Sequence, residues 1–334
     1  MKINNAVIKG ISYYHPKNAV GNEYYIDHFE GQGEDIRHLL ETTGRKYRYI
    51  SDDTDETTLT MGIKATQMLM EKTDINSSEL NLIVFSSGTP EYIAPSNAVI
   101  IHNEIRAGQK TIVYDMNANC AGMTVALEQV SRSMRDNPRI KYALIVGSDQ
   151  LSKYSRFNEA IPYANFADSA CAIILENVWN TDSGFIDSDS YTNSSNHDKV
   201  RLPAKGLSST IHNKNLELKD KLLQWSPFDT NGAFYSAKVS IEELISRNNL
   251  TKKDIKKYFL SQFAKKSIQL LCEQLEEDQE KFVYIGDEFG YTGTTSPLIA
   301  YAKTIEKNEL TKGDYVIFWT VGAGTTCSCV LYRY

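Results

Sequence analysis

The sequence reads as an α/β protein made of two similar halves around a pseudo-twofold axis, and three observations lead there. At 334 residues it exceeds what one hydrophobic core ordinarily encloses. Helical and strand patterns alternate along its length. One pattern also recurs: Ile75-Asn-Ser-Ser-Glu-Leu-Asn-Leu-Ile-Val-Phe85 and Leu250-Thr-Lys-Lys-Asp-Ile-Lys-Lys-Tyr-Phe-Leu260 lie 175 residues apart. Each passes from an apolar residue through a polar turn and an acid into an apolar strand, which is the mark of a duplication.

The elements follow in order. A helical stretch from Thr60 to Met70 precedes the first copy of the pattern, and one from Tyr235 to Ile245 precedes the second. Thr111-Ile-Val-Tyr114 is a short strand. Asn119-Cys-Ala-Gly122 then opens a helix leading to the strand Lys141–Gly147. Thr294-Thr-Ser-Pro297 opens another, leading to the strand Asp314–Trp319, with Cys120 and Thr295 again 175 residues apart. The expected division is 1–175 and 176–334. The polar stretch 182–215, rich in Ser, Asn and Asp, is expected to form surface loops or short hairpins.

Composition narrows the function. With 41% hydrophobic and 23% charged residues the chain is that of an ordinary globular protein. A net charge of −6 argues against a general nucleic-acid binder. No apolar run approaches the ~18 residues of a membrane span. The start, Met1-Lys-Ile-Asn-Asn-Ala-Val7, is too polar for a signal peptide, so a cytoplasmic location is expected. Five scattered cysteines make no disulfide framework. Cys327 and Cys329 fall at strand period and should share one buried face. The six histidines lack metal-ligand spacing, and neither a metal nor another cofactor is expected.

Cys120 draws attention on chemical grounds. It follows an apolar strand and stands at the start of a periodic helix, where free N–H groups and the positive dipole end favour a thiolate. A strand-to-helix corner would also expose the sulfur. The competing reading is a small buried hydrophobe.

The ordered series Thr43-Gly44 with Arg48, Thr60-Met-Gly62, Pro95-Ser96, Asn119-Cys-Ala-Gly122, Gly147-Ser-Asp149, Phe166-Ala-Asp168 and Gly322-Ala-Gly324 resembles β-ketoacyl-acyl-carrier-protein synthase III, a thiolase-fold condensing enzyme. The resemblance spans almost the whole chain and implies a layered α-β-α-β-α fold. It implies that Cys120 is the nucleophile accepting an acyl group. The backbone amides of Cys120 and Ala323 would form the oxyanion hole.

The departures are as telling as the matches. Where the family has histidine in a Pro-His-Gln-Ala-Asn segment, this chain has Ser261, in Phe259-Leu-Ser-Gln-Phe-Ala264; Gln262 persists and is expected at the substrate. Where the family has asparagine in Gly-Asn-Thr-Ser, this chain has Tyr291. Serine and tyrosine each donate one hydrogen bond but are poor bases near neutral pH. Decarboxylative condensation is therefore expected to weaken more than cysteine acylation. Asp287 and Glu288, beside the Tyr291 turn, are expected to be solvated acids.

Three further positions concern the donor and the acyl group. The family's adenine-stacking tryptophan and arginine are replaced by His38 and Thr42, which points away from coenzyme A and toward a carrier protein. Lys252, Lys253, Lys256, Lys257, Lys265 and Lys266 are read as a basic cluster, with Lys266 where the family has an arginine implicated in carrier docking. Ala94 replaces the phenylalanine with which, in short-chain members, a loop closes the partner's acyl pocket. The resulting expectation is an acyltransferase taking an acyl-carrier-protein or acyl-coenzyme A thioester, working as a homodimer or as a heterodimer with a homologue. The alternatives are a decarboxylative synthase with a remodelled site and a non-catalytic partner subunit.

Overall fold

Leu80–Ser86 and Tyr142–Gln150 are buried almost from end to end, the pattern of strands covered on both faces. The computed structural model describes residues 4–228 and 231–334. The first half runs β1 (Asn4–Tyr14), β2 (Ala19–Gly21), α1 (Asn22–Glu30), α2 (Arg37–Thr43), β3 (Tyr47–Tyr49), α3 (Thr58–Lys72), β4 (Leu80–Ser86) and α4 (Asn97–Glu104). It continues with β5 (Ile112–Met116), α5 (Gly122–Asp136), β6 (Tyr142–Gln150), α6 (Leu151–Tyr154), α7 (Ala160–Asn165) and β7 (Asp168–Trp179). The second half runs β8 (Gly184–Thr192), β9 (Val200–Arg201), α8 (Leu207–His212), α9 (Leu218–Lys221), β10 (Gln224–Trp225) and α10 (Asn231–Arg247). It ends with β11 (Ile255–Leu260), α11 (Lys265–Leu275), α12 (Gly286–Phe289), α13 (Ser296–Glu306), β12 (Tyr315–Gly322) and β13 (Thr326–Arg333).

The duplication is visible in the sheets. One has the order β1-β7-β6-β4-β5 and the other β8-β13-β12-β11, so β1, β7, β6 and β4 correspond to β8, β13, β12 and β11. In both, the strand entered from the repeated turn (β4, β11) runs parallel to its neighbour, and the remaining pairs among these four are antiparallel. The acid in the repeated pattern has a local cause. Glu79 accepts from the Asn76 amide at 3.2 Å and Asp254 from the Thr251 amide at 2.7 Å. Each closes a single 3₁₀ turn that aims the chain into β4 or β11.

Packing then sets five layers. The apolar faces of α5 and α13 lie between the two sheets, in one core containing Met123, Leu127, Val130, Leu298 and Tyr301 with side chains from both sheets. The outer faces are covered by α3 and α4 on the first sheet and by α10 and α11 on the second. Cys327 and Cys329 share one buried face of β13 within that last core. No helix among the described residues is long and apolar enough to cross a membrane.

Two expectations need correcting. β7 runs to Trp179 and β8 starts at Gly184, so the division after residue 175 falls inside a strand. Gly184–Thr192 is also not a loop but an edge strand paired to β13. Its Ser and Asp residues suit the solvated side of an edge, while Phe185 fills the core.

The two halves meet where α5 and α13 begin. The 3₁₀ turns Asn119–Ala121 and Gly293–Thr295 precede these helices and touch each other. The Met123 amide donates to Thr294 Oγ1 at 2.8 Å, and the Thr294 amide donates to Asp149 Oδ2 at 2.9 Å. Thr294→Val keeps the shape but leaves the buried Met123 N–H unpaired. It should cost about 1–3 kcal/mol in urea unfolding. Thr304→Val, which removes only a bond to the carbonyl one turn back in α13, should cost less.

Candidate active site

Cys120 sits in the turn ahead of α5, where Asn119 takes a left-handed conformation (φ 52°) and swings the thiol off the sheet end. It is the one cysteine of the five that is not buried. Its sulfur faces a cavity of about 160 Å3 lined by Asp149, Tyr291, Ala323 and a set of apolar side chains. The expected depression of its pKa is not found. Burial pushes the thiol up to about 12, and the Asp149 carboxylate adds to the rise; the Tyr291 hydroxyl beside the sulfur opposes it only in part. A dipole at a helix start is worth ~1 kcal/mol, less than the cost of desolvating a thiolate.

Ser261 and Tyr291 do meet, but not side by side at the cavity. Tyr291 follows Gly290, whose φ of 75° only glycine adopts freely and where a Cβ would strike Ala167 and Arg48. Backbone bonds from Tyr291 N to Asn165 O and from Ala167 N to Tyr291 O, both 2.9 Å, then pin the residue. Its ring lines the cavity. Ser261, just past β11, is buried and is not part of that lining; its Oγ donates to the Tyr291 oxygen at 3.4 Å. Burial and the adjacent Cys120 hold the Tyr291 hydroxyl well above its ordinary pKa, so it is a neutral donor.

Gln262 is not a substrate ligand. It is fully buried, its Nε2 donates to Leu260 O and Val283 O, and its Oε1 accepts from Ile285 N at 2.8 Å. No polar atom of its amide remains for substrate, because it bridges the end of β11 to the approach to α12. Ala323 does line the cavity, in the turn joining β12 to β13. A Cβ on Gly322 would come within 2.7 Å of the Ala118 carbonyl, so this turn packs backbone-to-backbone against the one holding Cys120. Among the described residues, the amides of Cys120 and Ala323 donate to no other residue.

His38 and Lys266 are exposed, at the first turns of α2 and α11, and neither touches the cavity. Ala94 is exposed between Ile93 and Pro95 and does not line the chain's own cavity. The six lysines are not one patch. Lys252 bonds the Leu275 carbonyl at the far end of α11, whereas Lys265 and Lys266 open that helix. Asp287 and Glu288 face Lys46 and Lys303, away from Cys120. His197 and His212 are on the surface, and no histidine lines the cavity among the described residues.

Several contributors escaped the sequence reading. Asp149 was seen only as part of a motif. It lines the cavity and accepts from the Gly88 amide (2.8 Å), Ser87 Oγ (3.1 Å) and the Thr294 amide (2.9 Å). Burial still raises its pKa to about 6. Buried Arg45 donates to Gln262 O and Phe263 O at 2.9 and 2.7 Å, bracing the segment after Ser261. Phe263 and Trp225 wall the cavity. The signal for Phe263 was available: it stands where the family segment quoted above has alanine.

Comparison with known proteins agrees with this arrangement. A family model described as 3-oxoacyl-[acyl-carrier-protein] synthase III matches residues 114–194, and its C-terminal companion matches residues 245–334. A Clostridium perfringens (strain SM101) protein named beta-ketoacyl-[acyl-carrier-protein] synthase III is 29% identical, over 98% of this chain and 99% of its own. A protein of the same name from the Wolbachia of Brugia malayi is 28% identical over 99% of this chain and 100% of its own. The crystal structure of 3-oxoacyl-[acyl-carrier-protein] synthase III from Aquifex aeolicus superposes with a TM-score of 0.83 at 21% identity, covering 98% of this chain and 100% of that one. At that identity it speaks for the fold.

The thiol's raised pKa makes a direct prediction. Below a pKa of about 12 the thiolate fraction grows tenfold per pH unit. Iodoacetamide labelling of Cys120, followed by peptide mass spectrometry between pH 7 and 10, should therefore rise with unit slope and no plateau. Cys120 should still label ahead of Cys171, Cys272, Cys327 and Cys329, all of which are buried. A plateau near pH 8–9 would show a stabilised thiolate instead.

Proposed function

The chain belongs to the 3-oxoacyl-[acyl-carrier-protein] synthase III family, and from that premise we propose that it is an acyltransferase working through an acyl-Cys120 intermediate. One observation supports this most: the only unburied cysteine faces an apolar cavity, beside two turns whose backbone amides at Cys120 and Ala323 donate to no other described residue. A thioester carbonyl placed there would direct its oxygen toward both amides as charge develops. The Cys120 Sγ–carbon bond forms, the donor's carbon–sulfur bond breaks, and the Cys120 proton passes to the departing thiol. An amine, alcohol or carbon nucleophile then takes the acyl group and restores the Cys120 thiol, in ping-pong order.

Transfer without decarboxylation is the reading we favour over condensation. Ser261 is spent on Tyr291, and only the Tyr291 hydroxyl remains beside Cys120. Losing one oxyanion donor typically lowers rates by ~10²–10³. The donor is an acyl carrier protein rather than coenzyme A, a choice supported by the loss of the stacking pair at His38 and Thr42 and by the exposed Lys266. The setting is specialised-metabolite or fatty-acyl biosynthesis. The active unit is a homodimer, or a heterodimer with a homologue, in which the loop around Ala94 bounds the partner's acyl pocket. Exposed Tyr92 and Ile93 supply apolar surface for that contact.

Incubation with acyl-carrier-protein thioesters should add one acyl mass to the intact protein, and Cys120→Ala should abolish the gain. Carbon dioxide release from malonyl carrier protein should stay at background; robust release would restore the condensing reading. Tyr291→Phe should lower the transfer rate at least ten-fold. Ala94→Phe should shift loading toward acetyl donors with no change of oligomeric state in sedimentation, and an unaltered chain-length series would remove Ala94 from the pocket wall.

A further inference from the structure

The walls around Cys120 are rich in aromatic side chains. Among the described residues six aromatic side chains line the cavity: Phe166, Trp225, Phe228, Phe234, Phe263 and Tyr291. They are ordered among themselves. Trp225 and Phe263 lie face to face, with centroids 5.4 Å apart and planes 9° from parallel. Phe166 meets Trp225 edge-on at 5.9 Å and 76°, and Tyr291 meets Phe263 edge-on at 5.2 Å and 88°.

The backbone that carries the two stacked rings is held from behind. Trp225 donates its backbone amide to Glu159 at 3.1 Å, and Glu159 is itself paired with Arg156 at 2.6 Å. Phe263 is fixed by the buried guanidinium of Arg45 on its own carbonyl. Such walls are set before a ligand arrives, which favours shape-selective binding over adjustment to chains of any length.

Size and polarity narrow the ligand. The cavity encloses about 160 Å3, close to the ~150 Å3 of an apolar cavity known to accept benzene. One six-membered ring fits that volume. Asp149 is the single ionisable carboxylate among the described lining residues, and its donors lie behind it, in the segment 87–89 and the turn ahead of α13. The rest of the surface that an acyl group would meet is neutral. Aromatic pairs in edge-to-face or offset geometry are stabilised beyond area burial, and a flat ring entering here would pack against aromatic walls.

We infer that Cys120 is loaded with an aromatic acyl group of the benzoyl class, with Trp225 and Phe263 as the residues that select it. This rests on the acyl-Cys120 reading above, and the test separates the two. N-acetylcysteamine thioesters of benzoate, cyclohexanecarboxylate, hexanoate and acetate are compared by the rate of mass gain at Cys120. Each rate is divided by that thioester's rate with free cysteine to remove intrinsic reactivity. Benzoyl should exceed acetyl and hexanoyl by about ten-fold, and cyclohexanecarbonyl, of similar bulk without a π face, by about three-fold or more. Trp225→Ala and Phe263→Ala should each reduce the benzoyl-to-acetyl loading ratio several-fold.

Loading that follows chain length, or a benzoyl preference that survives both substitutions, overturns the inference and leaves the acyltransferase reading standing. Loading by none of the four thioesters counts against the acyltransferase reading. The ring site is then judged by binding to Cys120→Ala, which cannot be acylated. N-benzoylcysteamine should quench its tryptophan fluorescence saturably and should lose that effect when Trp225→Phe is added. Absence of saturable quenching overturns the inference on its own.

Discussion

The buried contact between the starts of α5 and α13 is the constraint on which the rest of this molecule hangs. Asp149, at the end of β6, receives the Gly88 amide from the loop after β4 and the Thr294 amide from the turn before α13. Thr294 in turn receives the Met123 amide from the first turn of α5. One carboxylate and one hydroxyl, both buried, thus tie together two strand-end segments and both central helices. The cost of that burial shows in the carboxyl's pKa of about 6. As pH falls from neutral toward 4, the native state takes up a proton here before the unfolded chain would, so the stability that this burial costs is greatest above the native pKa and is relieved progressively between about 6 and the ordinary carboxylate value of 3.8. A residue retained at that cost positions something. What it positions is the turn carrying Cys120.

The same low-dielectric setting shapes the chemistry. A thiol pushed up to about 12 is no ready nucleophile at rest, and no imidazole lines the cavity among the described residues to take its proton. The replacements are a neutral phenol and, behind it, a neutral hydroxyl. Such a site supplies hydrogen-bond donors to a developing oxyanion far better than it supplies a base. Under the proposal above, it serves a reaction whose proton travels with the leaving thiol rather than one that must build and hold an enolate.

Arg45 shows how a residue distant in sequence can govern such a site. Its buried guanidinium has no carboxylate partner among the described residues; it is spent on the Gln262, Phe263 and Gly286 carbonyls and on the Tyr284 hydroxyl. Those bonds fix the turn from Ser261 to Phe263 relative to α12, and so the distance between Ser261 and Tyr291. Gln262 works from the other side of the same turn, with both ends of its amide consumed by backbone. Persistence of a family residue therefore reflects scaffold here, while the substituted neighbours change what the cavity meets.

The duplicated layers and the corner that carries Cys120 were legible from residue order, because each depends on local signals. A capping acid sets each repeated turn, apolar periodicity sets each strand and helix, and a small-residue motif sets the corner at Cys120. Gln262 was misjudged, and the lysines were grouped too closely, because hydrogen-bond partners and surface neighbours come from chain segments that no local pattern links. The strand Gly184–Thr192 was missed because an edge strand with one solvated face reads as polar loop. The aromatic walls draw on residues from 166 to 291, and burial sets the pKa of Cys120 through everything packed around it. Local chemistry is written in neighbouring residues, whereas desolvation and cavity shape exist only once distant segments have closed over the site.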